Sequence, residues 1–154
     1  MPRNRDVATN KKARRDYHIS ESYEAGIQLR GTEVKSIREG KVNISDAFVR
    51  IERQEAFLYG CDIQPWQTAG EYFQHAPKRP RKLLLHKNEI LKLAQAADEK
   101  GYTLPCLRLY FKGRRVKVEF GVGKGKSYSD QRQDLKKRVE MREAEREMAR
   151  FNRR

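Results

Sequence analysis

The sequence predicts a mainly β protein: a small closed antiparallel barrel with two or three peripheral helices and a basic C-terminal tail. Three observations lead to this prediction. Five or six short segments alternate apolar and polar side chains, two segments have helical periodicity, and the last residues are highly charged without an apolar stripe. The chain has 154 residues, of which 37% are hydrophobic and 36% are charged, so part of it must lie outside one modest core. We expect a basic arm over residues 1–15, a barrel over 16–129 and a tail over 130–154.

The clearest predicted element is a hairpin in the C-terminal half of the chain. Residues 107–111 and 116–122 alternate apolar and polar side chains around the turn Lys112-Gly113-Arg114. Successive side chains of a strand point to opposite faces, so one face packs inward while the other, nearly all basic, can meet phosphate. Two further runs, at 47–51 and 56–63, predict a second hairpin, and residues 17–29 predict another strand.

Two short helices are predicted between the strands. Thr32 is the expected N-cap of a helix over residues 33–39, which Gly40 ends. A second helix over residues 86–100 ends at Gly101. Its apolar face would carry Ile90, Leu93, Ala94 and Ala97. Short antiparallel strands with a helix inserted before the final hairpin are typical of the oligonucleotide-binding (OB) barrel, although a fold alone defines no function.

The net charge indicates a polyanionic partner. Thirty-five Lys and Arg against twenty-one Asp and Glu give a net charge of +14. Most of the excess lies in four blocks, over residues 1–15, 78–92, 112–126 and 132–154. Clustered positive charge favours nucleic acid as the partner. No apolar run approaches the roughly 20 residues of a membrane span, and residues 1–5 show no apolar signal core, so we expect no membrane partner and a cytoplasmic location.

A glycine-rich stretch at residues 121–127, Gly-Val-Gly-Lys-Gly-Lys-Ser, raises the possibility of a nucleotide-binding loop. A Walker loop needs a glycine five residues before its Gly-Lys-Ser triplet, and that position is Phe120. No apolar-periodic helix follows the stretch. We interpret it instead as a basic exit from the barrel, where the missing Cβ atoms let the backbone, Lys124 and Lys126 approach RNA phosphate.

Catalytic and metal-binding residues are not expected in this chain. His18, His75 and His86 lie in separate predicted elements without a second ligand nearby, and the carboxylates share no acidic motif. Cys61 and Cys106 are far apart in apolar segments, as buried structural thiols are. The sequence therefore predicts a binding protein with no enzymatic activity, no metal and no cofactor.

Aromatic side chains matter because exposed rings stack on unpaired bases. Tyr128 is the best candidate, since it follows the basic hairpin and has serine neighbours. For the remaining candidates a core or half-buried strand position is favoured: Tyr17, Tyr23, Trp66, Tyr72, Phe73 and Tyr110.

The C-terminal tail has helix propensity but no apolar face with which to pack. An arginine recurs every four residues, at Arg138, Arg142, Arg146 and Arg150. Repulsion between like charges disfavours the free helix. Two interpretations remain open: a solvated appendage, or a segment that orders only on a polyanion.

Six stretches, in order along the chain, resemble the SmpB family of bacterial tmRNA-binding proteins. They cover residues 10–17, 23–27, 31–38, 43–48, 81–86 and 121–126. The resemblance implies an OB-type barrel that binds the tRNA-like domain of tmRNA as a monomer in a 1:1 complex. The complex would enter the A site of stalled ribosomes in the bacterial cytoplasm, where the protein replaces the missing anticodon arm. It also implies a tail that is disordered when free and becomes helical near the decoding centre, in the empty messenger channel.

Basic blocks and the resemblance together define the expected binding residues. The RNA-binding set is Asn10, Lys11, Lys12, Arg14, Tyr17, Glu24, Arg81, Lys82, Leu84, Lys124, Lys126, Tyr128, Asp130 and Arg132. The ribosome-contacting set is Lys136, Lys137, Arg138, Arg142, Arg146, Met148, Arg150 and Phe151. The chain departs from the family pattern at Arg15, where histidine is frequent, at Ser127 and Gln131, where lysine is usual, and in its tail, which has no tryptophan.

Glu24 is the most informative member of the RNA-binding set. A carboxylate on a basic surface could accept hydrogen bonds from an exocyclic amine or a ribose hydroxyl, which lysines cannot do. The alternative is a salt bridge to a nearby arginine, and Leu84 could equally be a core residue. Two other functions also remain open: a general single-stranded nucleic-acid binder and a basic ribosomal protein.

Overall fold

The computed structural model describes residues 5–66, 74–99, 101–126 and 128–152. Ten strands lie within these ranges: β1 Arg5–Thr9, β2 Tyr17–Ile27, β3 Val42–Asn43, β4 Phe48–Glu52, β5 Glu55–Tyr59, β6 Asp62–Ile63, β7 Arg81–Leu84, β8 Tyr102–Thr103, β9 Cys106–Lys112 and β10 Arg115–Gly125. Four helices accompany them: α1 Lys11–Asp16, α2 Gly31–Arg38, α3 Lys87–Asp98 and α4 Tyr128–Asn152.

One antiparallel sheet dominates the fold. Its strand order is β1-β9-β10-β2-β7-β5-β4, with β8 paired to the end of β10, while β3 and β6 form a separate pair. Backbone hydrogen bonds also join the start of β4 to the segment around β9. The amide of Val49 donates to the carbonyl of Leu104 at 2.7 Å, and the amide of Cys106 donates to the carbonyl of Ala47 at 2.9 Å. The predicted mainly β class is confirmed.

Both predicted hairpins are present. β9 pairs with β10 around Gly113, and β4 pairs with β5 around the turn residues Arg53 and Gln54. Arg53 and Gln54 have φ angles of 50° and 65°, the left-handed pair that a two-residue hairpin turn requires. Neither residue is glycine, so each adds a steric cost of about 1–2 kcal/mol. This turn is therefore held by the strands on either side of it.

Both predicted helices form, and each differs from the prediction at one point. The N-cap of α2 is Arg30, not Thr32, because Glu33 closes the first turn by accepting a hydrogen bond from the Arg30 amide at 2.8 Å. The Thr32 hydroxyl is instead hydrogen-bonded to Nδ1 of His75, at 2.8 Å. In α3, Ala96 packs against the core and Ala97 is exposed, since the helix turns its apolar face around the buried Leu93.

A buried ion cluster fastens β7 to α2. Glu33 and Arg81 are both 0% exposed, and Arg81 donates to the Glu33 carboxylate at 2.5 Å and to the Cys61 carbonyl at 2.6 Å. Arg79 donates to the other carboxylate oxygen, also at 2.5 Å. Burial alone would raise the pKa of Glu33, but hydrogen bonds from the Arg30 amide and the two arginines outweigh it and hold that pKa low. Arg81 was predicted to contact RNA, but its guanidinium is buried and makes its hydrogen bonds inside the fold.

The two cysteines are buried and unpaired, as predicted. Burial raises the pKa of Cys61 to about 11 and raises the pKa of Cys106 further. Both side chains remain neutral thiols at physiological pH and pack as small apolar groups.

Candidate nucleic-acid interface

The outer face of the sheet follows from strand alternation. In β2 the side chain of Ala25 is buried while Glu24 is exposed. In β7 Leu83 is buried while Leu84 is 51% exposed. The register places Gly26 opposite Leu84 and Glu24 opposite Glu119. Outward-facing residues of β10, β2, β7 and β5 therefore form one continuous surface.

An open groove of about 620 Å³ crosses this surface. We call it the outer groove. Its lining includes Gly26 and the polar or exposed residues Glu24, Gln54, Glu55, Lys82, Leu84, His86, Glu89 and Lys117. Three of them, Glu24, Lys82 and Leu84, belong to the predicted RNA-binding set. The structure thus brings together one acidic, one basic and one apolar member of that set. The exposed Leu84 is not a core residue.

Two donors hold the Glu24 carboxylate. The Tyr110 hydroxyl donates to one oxygen, and the Lys112 ammonium donates to the other at 3.3 Å. The hydrogen bond from Tyr110 is the main cause of a lowered Glu24 pKa, with a further contribution from Lys112. Burial and the same hydrogen bond raise the pKa of Tyr110. The salt bridge considered from the sequence is thus to a lysine, and the carboxylate stays ionised and 41% exposed at neutral pH.

The outer face of the β9–β10 hairpin is less basic than predicted. Arg108 donates to Asp6 at 3.0 Å and to Glu119 at 2.9 Å, so two carboxylates neutralise its charge. Its guanidinium also lies 4.2 Å from the centroid of the Tyr110 ring, which it covers. The guanidinium thus contacts the face of the ring whose hydroxyl binds Glu24. The main contribution of the hairpin to this surface is therefore to position the Glu24 carboxylate. It adds little unpaired positive charge at Arg108.

A second patch lies on α1. The side chains of Lys11, Lys12 and Arg14 are exposed, and Lys12 pairs with Asp46 at 3.1 Å. Asn10, in contrast, is buried. Its amide nitrogen donates to the carbonyls of Ile44 and Cys106 at 2.9 and 2.8 Å, and its oxygen accepts from the Ala13 amide at 3.0 Å. Asn10 is the N-cap of α1, and these contacts fix the helix against the sheet instead of leaving the amide for RNA.

Strand pairing brings the end of β10 beside α1. Gly125 lies opposite Tyr17, and the Lys126 amide donates to the carbonyl of Asp16 at 2.8 Å. Tyr17 is half-buried and Lys124 is exposed. We call Lys11, Lys12, Arg14, Lys124 and Lys126 the arm patch. Glu24 is the seventh residue after Tyr17 along β2, so the arm patch lies roughly 23 Å from the outer groove along the strand.

The glycines of β10 serve packing more than phosphate approach. A Cβ atom on Gly121 would lie 2.6 Å from Cγ2 of Ile19, and one on Gly123 would lie 3.1 Å from Cβ of Tyr17. Only Gly125 has open space around it. The predicted role of the whole stretch as an open phosphate loop is therefore corrected: its first two glycines let β10 pack closely against β2.

The tail residues form α4, and its described side chains are exposed. These are Lys136, Arg138, Arg142, Arg146 and Met148 among the predicted ribosome contacts. The side chains of Tyr128, Asp130, Arg132, Lys137, Arg150 and Phe151 lie outside the part of the chain that the structure describes, and so do Tyr72, Phe73 and Ser127.

Sequence reasoning missed several residues around Glu24. From the sequence, Lys112 and Lys117 counted only as basic charges and His86 only as an isolated histidine. In the structure Lys112 binds Glu24, and Lys117 and His86 line the outer groove. Alternation in β10 signalled that Lys117 faces outward. No local pattern indicated that Lys117 lies across Gly26 from Leu84. Only the strand order brings the two residues to the same groove.

The described residues provide neither a metal-binding cluster nor a membrane-spanning helix. Within residues 5–66, 74–99, 101–126 and 128–152, no group of three His, Cys, Asp or Glu side chains is placed to hold a metal ion. In those same ranges no helix is both long and apolar enough to span a membrane.

The fold and its two surface patches define a small basic β protein with an interface suited to RNA. The family model described as SmpB protein matches residues 7–150, and the chain belongs to this family. The SsrA-binding protein of Roseiflexus sp. (strain RS-1) is 51% identical over 150 residues, covering 97% of this chain and 95% of the relative. That of Carboxydothermus hydrogenoformans is 55% identical over 139 residues, covering 90% and 93%.

A solved structure shares the fold. It is described as "tmRNA-SmpB: a journey to the center of the bacterial ribosome". The TM-score is 0.66 at 42% sequence identity, and the match covers 83% of this chain and 93% of the other.

Proposed function

We propose that this protein binds the tRNA-like domain of tmRNA, delivers it to the A site of stalled ribosomes and is required for trans-translation. The observation that carries the proposal is the outer groove, which places Glu24 beside Lys82, Leu84 and Lys117. The SsrA-binding relatives and the tmRNA-SmpB structure support the identity of the RNA. The protein acts here by binding, without catalysis or a cofactor, in the bacterial cytoplasm.

The groove offers three kinds of RNA contact. A carboxylate has about four lone-pair sites, and Tyr110 and Lys112 occupy two of them, so Glu24 retains capacity for an RNA amine or 2′-hydroxyl. Lys82 and Lys117 are placed for phosphates on either side of the groove. Leu84 supplies an apolar contact for a base or sugar face. This mixture favours a structured RNA with a defined shape over any single strand.

The body that carries the groove is, we infer, a closed OB-type barrel over residues 16–129. The hydrogen bonds from Val49 to Leu104 and from Cys106 to Ala47 support closure, because they join β4, the last strand of the sheet path, to the start of β9, the second strand. The basic arm over residues 1–15 leads into the arm patch. One such body with one outer groove would bind one tmRNA as a monomer.

The tail over residues 130–154 is proposed to be disordered in the free protein and helical on the ribosome, in the messenger channel next to the decoding centre. All described side chains from residue 138 to 149 are exposed, so no tertiary burial supports α4 there. Ribosomal RNA would neutralise the arginines that repeat every four residues and favour the helix.

The proposal is tested by sequencing the RNA that copurifies with the tagged protein. One dominant structured RNA is expected. A spread of unrelated transcripts would instead indicate a general single-stranded nucleic-acid binder. Sedimentation with ribosomes at high salt would indicate a permanent ribosomal protein.

The role of the tail is tested by truncation after Lys137. The shortened protein should bind tmRNA nearly as well as the full chain but should fail to support tagging on ribosomes stalled without downstream message. Charge reversal at Arg142 and Arg146 should have the same effect, and alanine at both positions a weaker one. Normal tagging by the truncated protein would show that the tail is a solvated appendage.

A further inference from the structure

The outer face of the sheet continues past the outer groove onto β5 and β4. Phe57 lies opposite Lys82 on one side and opposite Arg50 on the other. The next outward pair along the hairpin is Phe48 and Tyr59, which lie directly opposite each other. The alternate residues of both strands are buried, so these aromatic and basic side chains share the solvent-facing side.

Phe48 and Tyr59 form an exposed, ordered aromatic pair. Phe48 is 40% exposed, and its ring stacks on Tyr59 with centroids 5.8 Å apart and planes 17° apart. The Arg50 guanidinium lies 5.5 Å from the Tyr59 centroid, and the Tyr59 hydroxyl donates to Glu52 at 2.9 Å. Glu52 thus fixes the edge of the Tyr59 ring and Arg50 contacts its face in the free protein.

We propose that Phe48, Tyr59 and Arg50 form a stacking platform for an unpaired nucleotide of the RNA held in the outer groove. This inference rests on the proposed function, which it extends by a second contact. The register places the Phe48–Tyr59 pair two residues along the strands from Lys82 and six from Glu24, which is roughly 8 Å from Lys82 and roughly 25 Å from Glu24. One bound RNA can reach both the outer groove and the platform. Nearly parallel rings with a guanidinium beside them suit a planar base, which every nucleotide presents.

The charges around the platform determine what kind of contact it makes. Arg50 lies 3.8 Å from the carboxylate of Glu52, and Lys82 lies 3.6 Å from that of Glu55. Two carboxylates therefore balance two cations at this edge of the surface. Its contribution to RNA affinity is stacking, with little counterion release, in contrast to Lys117 of the outer groove and to the arm patch.

The test compares two pairs of substitutions in filter binding to the transcribed tRNA-like domain of tmRNA at several salt concentrations. Phe48→Leu with Tyr59→Leu removes both rings but keeps apolar volume, whereas Phe48→Tyr with Tyr59→Phe keeps the rings. The leucine pair should weaken binding about 5- to 100-fold without changing the slope of log Kd against log salt. The ring-retaining pair should bind like the unmodified protein. Lys117→Ala, in the outer groove, should instead reduce the slope by about 1.

Two controls separate failure of the platform from failure of the proposed function. If Glu24→Ala binds this RNA normally, the recognition role of the outer groove is wrong. If Glu24→Ala binds weakly and the leucine pair binds normally, or weakly with a changed salt slope, the platform alone is wrong. Should the leucine pair fail to fold in a melting curve, 4-thiouridine crosslinking of the unmodified protein decides. Crosslinks within residues 48–59 support the platform, and their absence overturns it.

Discussion

Glu33 and Glu24 are two carboxylates, the first held by three donors and the second by two, and they serve opposite purposes. Glu33 is fully buried between Arg79 and Arg81 and joins α2 to β7. Glu24 lies on the surface between Tyr110 and Lys112 and lines the outer groove. In both cases hydrogen bonds hold the pKa low. The difference teaches that solvent access decides whether a paired carboxylate belongs to the fold or to an interface.

The largest expected effect comes from breaking the buried pair. Arg81→Ala removes one of the two arginine partners of the buried Glu33 charge, so the free energy of unfolding should fall by about 3–5 kcal/mol. Thermal melting followed by circular dichroism measures the loss. Lys82→Ala, one residue along and facing outward, is the matched control and should melt normally. Equal melting of the two variants would mean that the cluster does not fasten β7.

Removing the surface carboxylate should act on RNA instead of on folding. Glu24→Ala should weaken binding to the tRNA-like domain by about 1–3 kcal/mol, because a hydrogen bond that the RNA donates to the carboxylate is lost. Filter binding and a melting curve on the same sample separate affinity from stability. Glu21→Ala, on the same strand but outside the groove, is the control. A loss of affinity matched by an early melting transition would refute a role in recognition.

A smaller effect is expected from removing the hydroxyl that holds Glu24. Tyr110→Phe keeps the ring under Arg108 but deletes the main cause of the lowered Glu24 pKa, so that pKa should rise toward its ordinary value. Loss of RNA binding on acidification should then begin at higher pH in the variant. Carboxyl chemical shifts followed by NMR through the titration measure the change directly. An unchanged Glu24 titration would show that Lys112 alone positions the carboxylate.

The smallest effect concerns acid stability. A group whose folded pKa is depressed adds stability above its unfolded pKa, about 4.3 for glutamate, and loses it as pH falls through the folded value. The contribution of Glu24 is small because water screens a carboxylate that is 41% exposed. Denaturant unfolding at pH 7 and pH 3 should therefore show a slight excess of stability over Glu24→Ala at pH 7 only. An excess that grows in acid would contradict the sign of the shift.

The same comparison shows what the sequence could and could not predict. Period-2 alternation identified both hairpins, and the apolar context of Cys61 identified a buried thiol. The run Arg81-Lys-Leu-Leu84 was ambiguous, because four residues with two leucines fit either register of a strand. The observed register buries Arg81, against its expected place on the RNA-binding surface, and exposes Leu84, as its place in the expected RNA-binding set requires. The partner that makes the burial possible, Glu33, is 48 residues away, and no local pattern records it.

Local signals were also overlooked where a functional interpretation was preferred. Asn10 stands directly before a short helix, which is the ordinary position of a capping asparagine. The glycines at 121 and 123 follow strand alternation, which indicates close packing as readily as phosphate binding. Resemblance to a family marks a residue as important without saying whether it touches the ligand or supports a residue that does.

The turn at Arg53 and Gln54 bears on how quickly this chain folds. Hairpins close in about 1–10 μs, and a hairpin whose two turn residues must both enter the left-handed region closes in a smaller fraction of attempts. Asn-Gly at these positions would speed closure of β4 on β5, but it would replace Gln54, whose side chain lines the outer groove. We therefore expect this hairpin to close more slowly than one with Asn-Gly in its turn. The same turn forms part of the outer groove.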